Sequence, residues 1–164
     1  MTAGSGKPVS KTDIPEHYRW RLEDIYESDH YVGKAFNNIN EGISKICIYK
    51  GKLSESADIL ASCLSLKDIL YQEMGKLYVY SHLRSDEDNG SRIEELKGKI
   101  EIFGTYVDEA VSFIEPEIAD IDYSTLGNFC ESNNKLLIYK HYIDDIKRHG
   151  NHILPYEIQR VVSY

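Results

Sequence analysis

The residues that could bind a metal, move a proton or attack a carbonyl are few, and their spacing argues against chemistry within this chain. Six histidines are present. A zinc-hydrolase helix carries two histidines four residues apart, with a glutamate after the first as general base. None of His17, His30, His82, His141, His149 and His152 is followed by Glu. Only His149 and His152 stand close together, in Arg148-His149-Gly150-Asn151-His152. Gly150 is expected to end a helix between them, so their side chains need not converge. The acidic runs Asp144-Asp145 and Asp86-Glu87-Asp88 place carboxylates one residue apart, and such neighbours point in different directions on a helix. They read as solvated faces or caps. No serine occupies a nucleophile-elbow pattern, and no cysteine has a histidine-rich context. Gly4-Ser5-Gly6-Lys7 has the flavour of a phosphate loop, but Pro8 stands where a Ser or Thr must reach the metal, and no strand precedes it. The expectation is a chain with no catalytic, cofactor-binding or metal-binding residue of its own.

The thirteen tyrosines are the unusual feature. One reading packs them at helix seams with their hydroxyls at the rim. The other has some of them lining a peptide-binding channel. The segment from Tyr78 to Asp88, which mixes polar and aromatic groups, is the candidate for a channel-facing stretch.

The elements that would position such residues are helical. Pro15 makes the entry extended, and residues 14–26, with Trp20, Leu22, Ile25 and Tyr26 available for burial, read as an irregular strap across a helical body. Ser28 or Asp29 can cap a helix that carries Val32, Phe36, Ile39, Ile43, Ile46 and Cys47 at spacings of three and four, with Gly51 as its stop. Ser54 is expected to cap a short helix with Ala57, Leu60, Ala61 and Leu64. Ser65, with Asp68 three residues on, is expected to start the next, carrying Leu66, Ile69, Leu70, Met74, Leu77, Tyr78 and Leu83. The polar run Ser85 to Gly90 breaks it. Ser91-Arg92-Ile93-Glu94 is a capping box, and Ile93, Leu96, Ile100, Phe103, Val107, Ala110, Val111 and Ile114 then keep helical spacing up to a stop or kink at Glu115-Pro116. Ser124 is expected to open a short helix. Asn133 or Asn134 opens another with Leu136, Leu137, Tyr139, Tyr142, Ile143 and Ile146. Pro155 starts a last stripe of Ile158, Val161 and Val162, which is unfinished at Tyr164. No period-two alternation and no fixed repeat is present. The expected fold is all-α, about six helices after a polar tail over residues 1–13, ending inside a further helix, as a piece of a longer protein would.

Composition narrows the function classes. Nineteen Lys and Arg stand against 27 Asp and Glu, a formal charge of −8. That balance argues against nucleic acid and against an anionic membrane surface as partners. The three cysteines are odd in number and widely spaced, which fits a reducing cytoplasm. Residues 1–13 contain no apolar signal-peptide core, and no apolar run approaches the roughly 20 residues needed to span a bilayer.

Ordered landmarks carry a resemblance. Trp20-Arg21-Leu22-Glu23-Asp24-Ile25-Tyr26-Glu27-Ser28 resembles the opening "W-x-L-x-D-I-Y-x-S" of oligoendopeptidase F proteins. Gly51-Lys52-Leu53 before Ser54 and Ala57 is similar to their "GKL" turn. Residues Leu77 to Asp88 resemble a "Y-x-x-L-R-x-x-E-D" segment, and Phe113-Ile114-Glu115-Pro116-Glu117-Ile118 an "F-x-x-P-E-I/L" segment. Lys140-His141-Tyr142-Ile143 and Arg148-His149 match later helix positions. The set covers residues 14–162 in the family's order. The resemblance implies a cytoplasmic zinc metallopeptidase that cuts short peptides in a channel between two largely helical lobes, with zinc and its "HExxH" helix in a C-terminal lobe. This chain matches only the N-terminal, non-catalytic lobe over residues 14–164. Its implied partners are its own C-terminal catalytic lobe and, through the complete enzyme, short peptides. The competing readings are a stand-alone helical module that binds a peptide or protein, and a helical enzyme of unrecognised chemistry.

Overall fold

A computed structural model describes residue 15, residue 18, residues 20–87 and residues 91–149. The expected tail, the polar run at Asp88-Asn89-Gly90, the histidines His17 and His152, and the last apolar stripe lie outside the described residues. Six α-helices follow one another: α1 Asp29–Ile46, α2 Ala57–Glu87, α3 Ser91–Val111, α4 Ile114–Asp120, α5 Tyr123–Ser132 and α6 Lys140–His149. Among the described residues, a 3-10 turn at Leu22–Asp24 precedes α1, and others at Cys47–Tyr49 and Asn134–Tyr139 lie between helices. No β-strand occurs among the described residues, so the all-α expectation holds. No helix among them is long and apolar enough to cross a membrane.

The stripes read from the sequence are largely the buried ones. Val32, Ile39 and Ile46 on α1 and Ile93, Ile100, Val107, Ala110 and Val111 on α3 are buried, with Phe36, Ile43, Leu96 and Phe103 half-buried against them. Phe36 meets Phe103 edge-on at 4.7 Å. On α2 the buried face runs Leu70, Met74, Leu77, Ser81 and Ser85, a four-three-four-four spacing that keeps one side of the helix inward. Tyr80, one turn beyond Leu77, is 1% exposed. Its hydroxyl accepts a hydrogen bond from Arg84 at 2.7 Å, which satisfies it within the core.

Several boundaries differ from expectation, each for a local reason. The break expected at Ser65 does not exist, because α2 runs unbroken through it. Nothing between Leu64 and Ser65 breaks a helix, and Leu60, Ala61, Cys63, Leu64 and Leu70 share the buried side. Its N-terminus is held by Ser56, not Ser54: the Ser56 hydroxyl accepts from the Ile59 backbone N–H at 3.2 Å. The kink placed at Glu115-Pro116 falls earlier, at Ser112 and Phe113. Pro116 has no N–H to give to the carbonyl of Ser112, and its ring would clash there, so the chain turns and restarts with Pro116 in the first turn of α4. Asp122, not Ser124, caps α5, accepting from Thr125 N–H at 2.9 Å. Asn133 does open the following segment, accepting from Lys135 N–H at 2.9 Å, though its first six residues are a 3-10 turn. Trp20 is 64% exposed. The short turn after it carries only Leu22 fully inward, with Ile25 and Tyr26 beside it. Ile69 and Tyr78 on α2 are exposed at 54% and 53%, each falling beside the buried face.

Two long-range ties close the molecule. Glu117 on α4 accepts hydrogen bonds from the backbone of Gly51 at 2.6 Å and of Leu53 at 3.4 Å. Lys147 on α6 donates to the carbonyls of Ala119 and Ile121, each at 2.6 Å, and so satisfies the C-terminal end of α4. Gly51 sits at φ 78°, a left-handed conformation that a side chain disfavours. Nothing lies within 4 Å of a Cβ built there, so backbone strain is the whole cost of Gly51→Ala. A loss of about 1 kcal/mol in urea denaturation is expected; an unchanged midpoint would contradict this placement of the turn.

Candidate functional site

Helices α2 and α3 run antiparallel, tied at two points between the middle of α2 and its C-terminus. At the middle of α2, the Tyr71 hydroxyl donates to Asp108 at 2.9 Å. Toward its C-terminus, Lys97 donates to Ser85 at 2.6 Å. Between these ties α2 presents Tyr78, with the His82 ring tilted over it at 4.0 Å and Val79 alongside. Tyr78 is 53% and Val79 47% exposed. Gly75, one turn from both tyrosines, has no atom within 4 Å of a built Cβ. The outer seam of α2 and α3 is therefore an open surface of aromatic and polar groups.

The seam ends in a cavity of about 360 Å³. Lys67 and Tyr71 line it from α2, Asp108 from α3, Ser112 from the turn, Glu115 from α4 and Tyr142 from α6. The Tyr142 hydroxyl donates to Glu115 at 3.1 Å, and the Lys67 ammonium lies 4.0 Å from the centre of the Tyr142 ring, a cation–π distance. Tyr139 donates to Asp68 at 2.6 Å just outside. Burial first, and the charge of Asp108 second, push the Tyr71 phenol well above its usual range. Burial first, and the charge of Glu115 second, do the same to Tyr142. Each phenol's one proton is donated to a carboxylate, so each offers a ligand its oxygen lone pairs and its ring.

The candidate segment from Tyr78 to Asp88 is brought out only in part. Tyr78 and His82 reach the surface, whereas Tyr80, Ser81 and Ser85 are buried. The side chains of Asp86, Glu87 and Asp88 lie outside the described set. His30, His82, His141 and His149 are exposed. His149 faces the Asp145 backbone carbonyl at 3.0 Å and its carboxylate at 3.5 Å. Asp144 and Asp145 sit on one helix without a joint partner set. Among the described residues, no group of three or more His, Cys, Asp or Glu could hold a metal ion. Cys63 is buried, and burial above all, with the charge of Glu117, pushes its thiol up to about 12; Cys47 is exposed. Sequence reasoning missed the cavity. A signal existed: Asp108, Ser112 and Glu115 are polar at spacings of four and three, and Lys67 and Tyr71 are four apart on the facing helix.

This architecture is similar to part of a solved oligoendopeptidase. The crystal structure of oligoendopeptidase-F from Enterococcus faecium matches it with a TM-score of 0.74 and 25% identity, over 82% of this chain and 26% of that one. Oligopeptidase PepF of Bacillus subtilis is 34% identical over 145 residues, which is 88% of this chain and 22% of that protein. The chromosomal oligoendopeptidase F of Lactococcus lactis subsp. cremoris is 25% identical over 148 residues, 88% of this chain and 25% of that protein. The group B oligopeptidase PepB of Streptococcus agalactiae is 23% identical over 155 residues, 94% of this chain and 26% of that protein. No family model matches the chain. The resemblance to the oligoendopeptidase F family, carried in sequence by scattered landmarks, thus extends over most of the chain, and the chain spans about a quarter or less of the length of the curated relatives it matches.

A raised phenol pKa has a consequence at alkaline pH. The native state keeps these protons to higher pH than the unfolded chain does, so the stability present below the unfolded value, about pH 10, is lost as the pH rises above it. The urea midpoint is expected to fall from about pH 9 to about pH 11, and to fall less in a Tyr71→Phe, Tyr142→Phe variant. Equal declines in both proteins would contradict the carboxylate-facing placement of these phenols.

Proposed function

We propose that this chain is the N-terminal, non-catalytic lobe of a cytoplasmic zinc oligopeptidase, and that its α2–α3 seam walls the channel in which a short peptide lies. The observation that carries the reading is similarity across 88% of this chain that accounts for only 22% of an oligopeptidase. A peptidase needs the remainder of such a length for its reaction centre. Residues 14–164 form the lobe in this reading, and their partner is the catalytic portion of the same polypeptide.

Among the described residues the donor set does not fit zinc. No histidine is followed by Glu, and the described residues offer no metal-holding group. The zinc ligands and the general base are assigned to the rest of the parent, and no bond-making step runs through side chains of this chain. Its part is binding and exclusion. A rigid helical wall limits entry to unfolded, short chains. Tyr78 and His82 offer flat faces and polar edges to an extended peptide, whose side chains alternate and whose backbone needs hydrogen-bond partners. Sequestering the peptide between lobes also removes water from it, as closing lobes do in other enzymes.

The test compares the full-length protein with this chain alone, using a quenched-fluorescent peptide. The full-length protein is expected to cut it, to lose that activity on chelation, and to regain it with zinc. The 164-residue chain is expected to show none. Hydrolysis by the chain alone, or an inactive full-length protein that carries zinc, would overturn the reading.

A further inference from the structure

The cavity beyond Tyr71 is more than a neutral stretch of wall. Its charged lining groups are Lys67, Asp108 and Glu115, which leave one net negative charge. Asp108 and Glu115 each accept one tyrosine hydroxyl, and a carboxylate has further lone pairs to offer a donor. Lys67 is the unusual member. Its side chain is 15% exposed, and among the described residues its ammonium meets the Tyr142 ring at 4.0 Å and Asp68 at 3.9 Å. No acceptor among the described residues reaches it at hydrogen-bond distance. An ammonium at the edge of a cavity, partnered among the described residues by a ring face and a carboxylate at 3.9 Å, has N–H donors to offer an acceptor that enters the cavity. The same lining thus offers donors from α2 and spare anionic acceptors from α3 and α4, together with tyrosine ring faces.

A group that answers all three carries a cation next to a carbonyl. We propose that this cavity binds the amino-terminal residue of a peptide, its α-ammonium on Glu115 and Asp108 and its first carbonyl oxygen on Lys67. The inference rests on the channel-wall reading and names the end of the peptide that this lobe recognises. A lysine side chain supplies an ammonium but no carbonyl beside it, so Lys67 is the residue that separates the two.

Titration calorimetry on the full chain tests it with three probes: trialanine amide, its N-acetylated form, and an N-acetylated peptide with one internal lysine. The free amine is expected to bind, and acetylation to weaken binding about tenfold or more, the worth of a charge-assisted hydrogen bond. Glu115→Gln, which preserves the acceptor for Tyr142, is expected to weaken the free peptide by a similar factor at unchanged helicity. Lys67→Met is expected to reduce the preference for the free peptide over the lysine peptide. Asp108→Asn serves in place of Glu115→Gln should that variant fail to fold. No binding of the free peptide up to roughly 10 mM, equal binding of free and acetylated peptides, or tighter binding of the lysine peptide would each overturn the proposal. Equal binding would leave the channel wall standing, and an inactive parent would sink the wall without altering this titration.

Discussion

The unbroken run of α2 is the constraint on which the rest of the structure depends. Thirty-one residues without a proline make a rod of about 46 Å at 1.5 Å per residue. The other elements dock along it in order. The asparagine that opens the α5–α6 segment reaches back to Asp58 at 2.8 Å, and Tyr139 reaches Asp68 at 2.6 Å. Leu70 lies against Gly42 of α1, where a built Cβ would come within 2.6 Å of the leucine tip. That glycine leaves room on α1 for the Leu70 side chain. Toward the far end, Tyr26 from the entry strap packs edge-on against Tyr80 at 5.3 Å. A break at Ser65 would uncouple these two ends.

With α1, α3, the strap and the Asn134–Tyr139 turn covering much of α2, only the strip left between them serves as a surface, and the tyrosines divide accordingly. Tyr80 fills the core and has its hydroxyl satisfied by Arg84 from the next turn. Tyr71 and Tyr142 stand where helices converge, with hydroxyls fixed on carboxylates. Tyr78 is left outward. A long helix can hold all these environments because its buried face is a stripe, and residues a few positions to either side of that stripe emerge into solvent.

The sequence made the helical class and most of the core legible, because stripes such as Ile93–Ile100–Val107 depend only on local periodicity. It offered Asn133 or Asn134 as the next start, from capping chemistry, and Asn133 is the one that caps. It failed where two local rules competed. Ser65 with Asp68 imitates a capping box, but continuous burial from Leu60 to Leu70 overrides it. Pro116 marked a kink, and the position of that kink followed from the i−4 carbonyl rather than from the proline itself. The cavity stayed hidden because Lys67, Asp108 and Tyr142 meet only through tertiary packing, and no sequence distance encodes which face of α6 turns toward α2. The landmarks from Trp20 to Tyr26 make sense in hindsight: Leu22 is buried and Tyr26 packs on Tyr80, while Trp20 stays exposed.

The most direct test of the account is photocrosslinking in the full-length protein, with a benzophenone amino acid at position 78 on the seam and, as control, at Ile48 in the turn after α1, which is 64% exposed. A short peptide held along the α2–α3 seam predicts capture from position 78 and none from position 48. Capture from position 48 alone, or equally from both, would contradict the claim that this face of α2 is where the peptide lies.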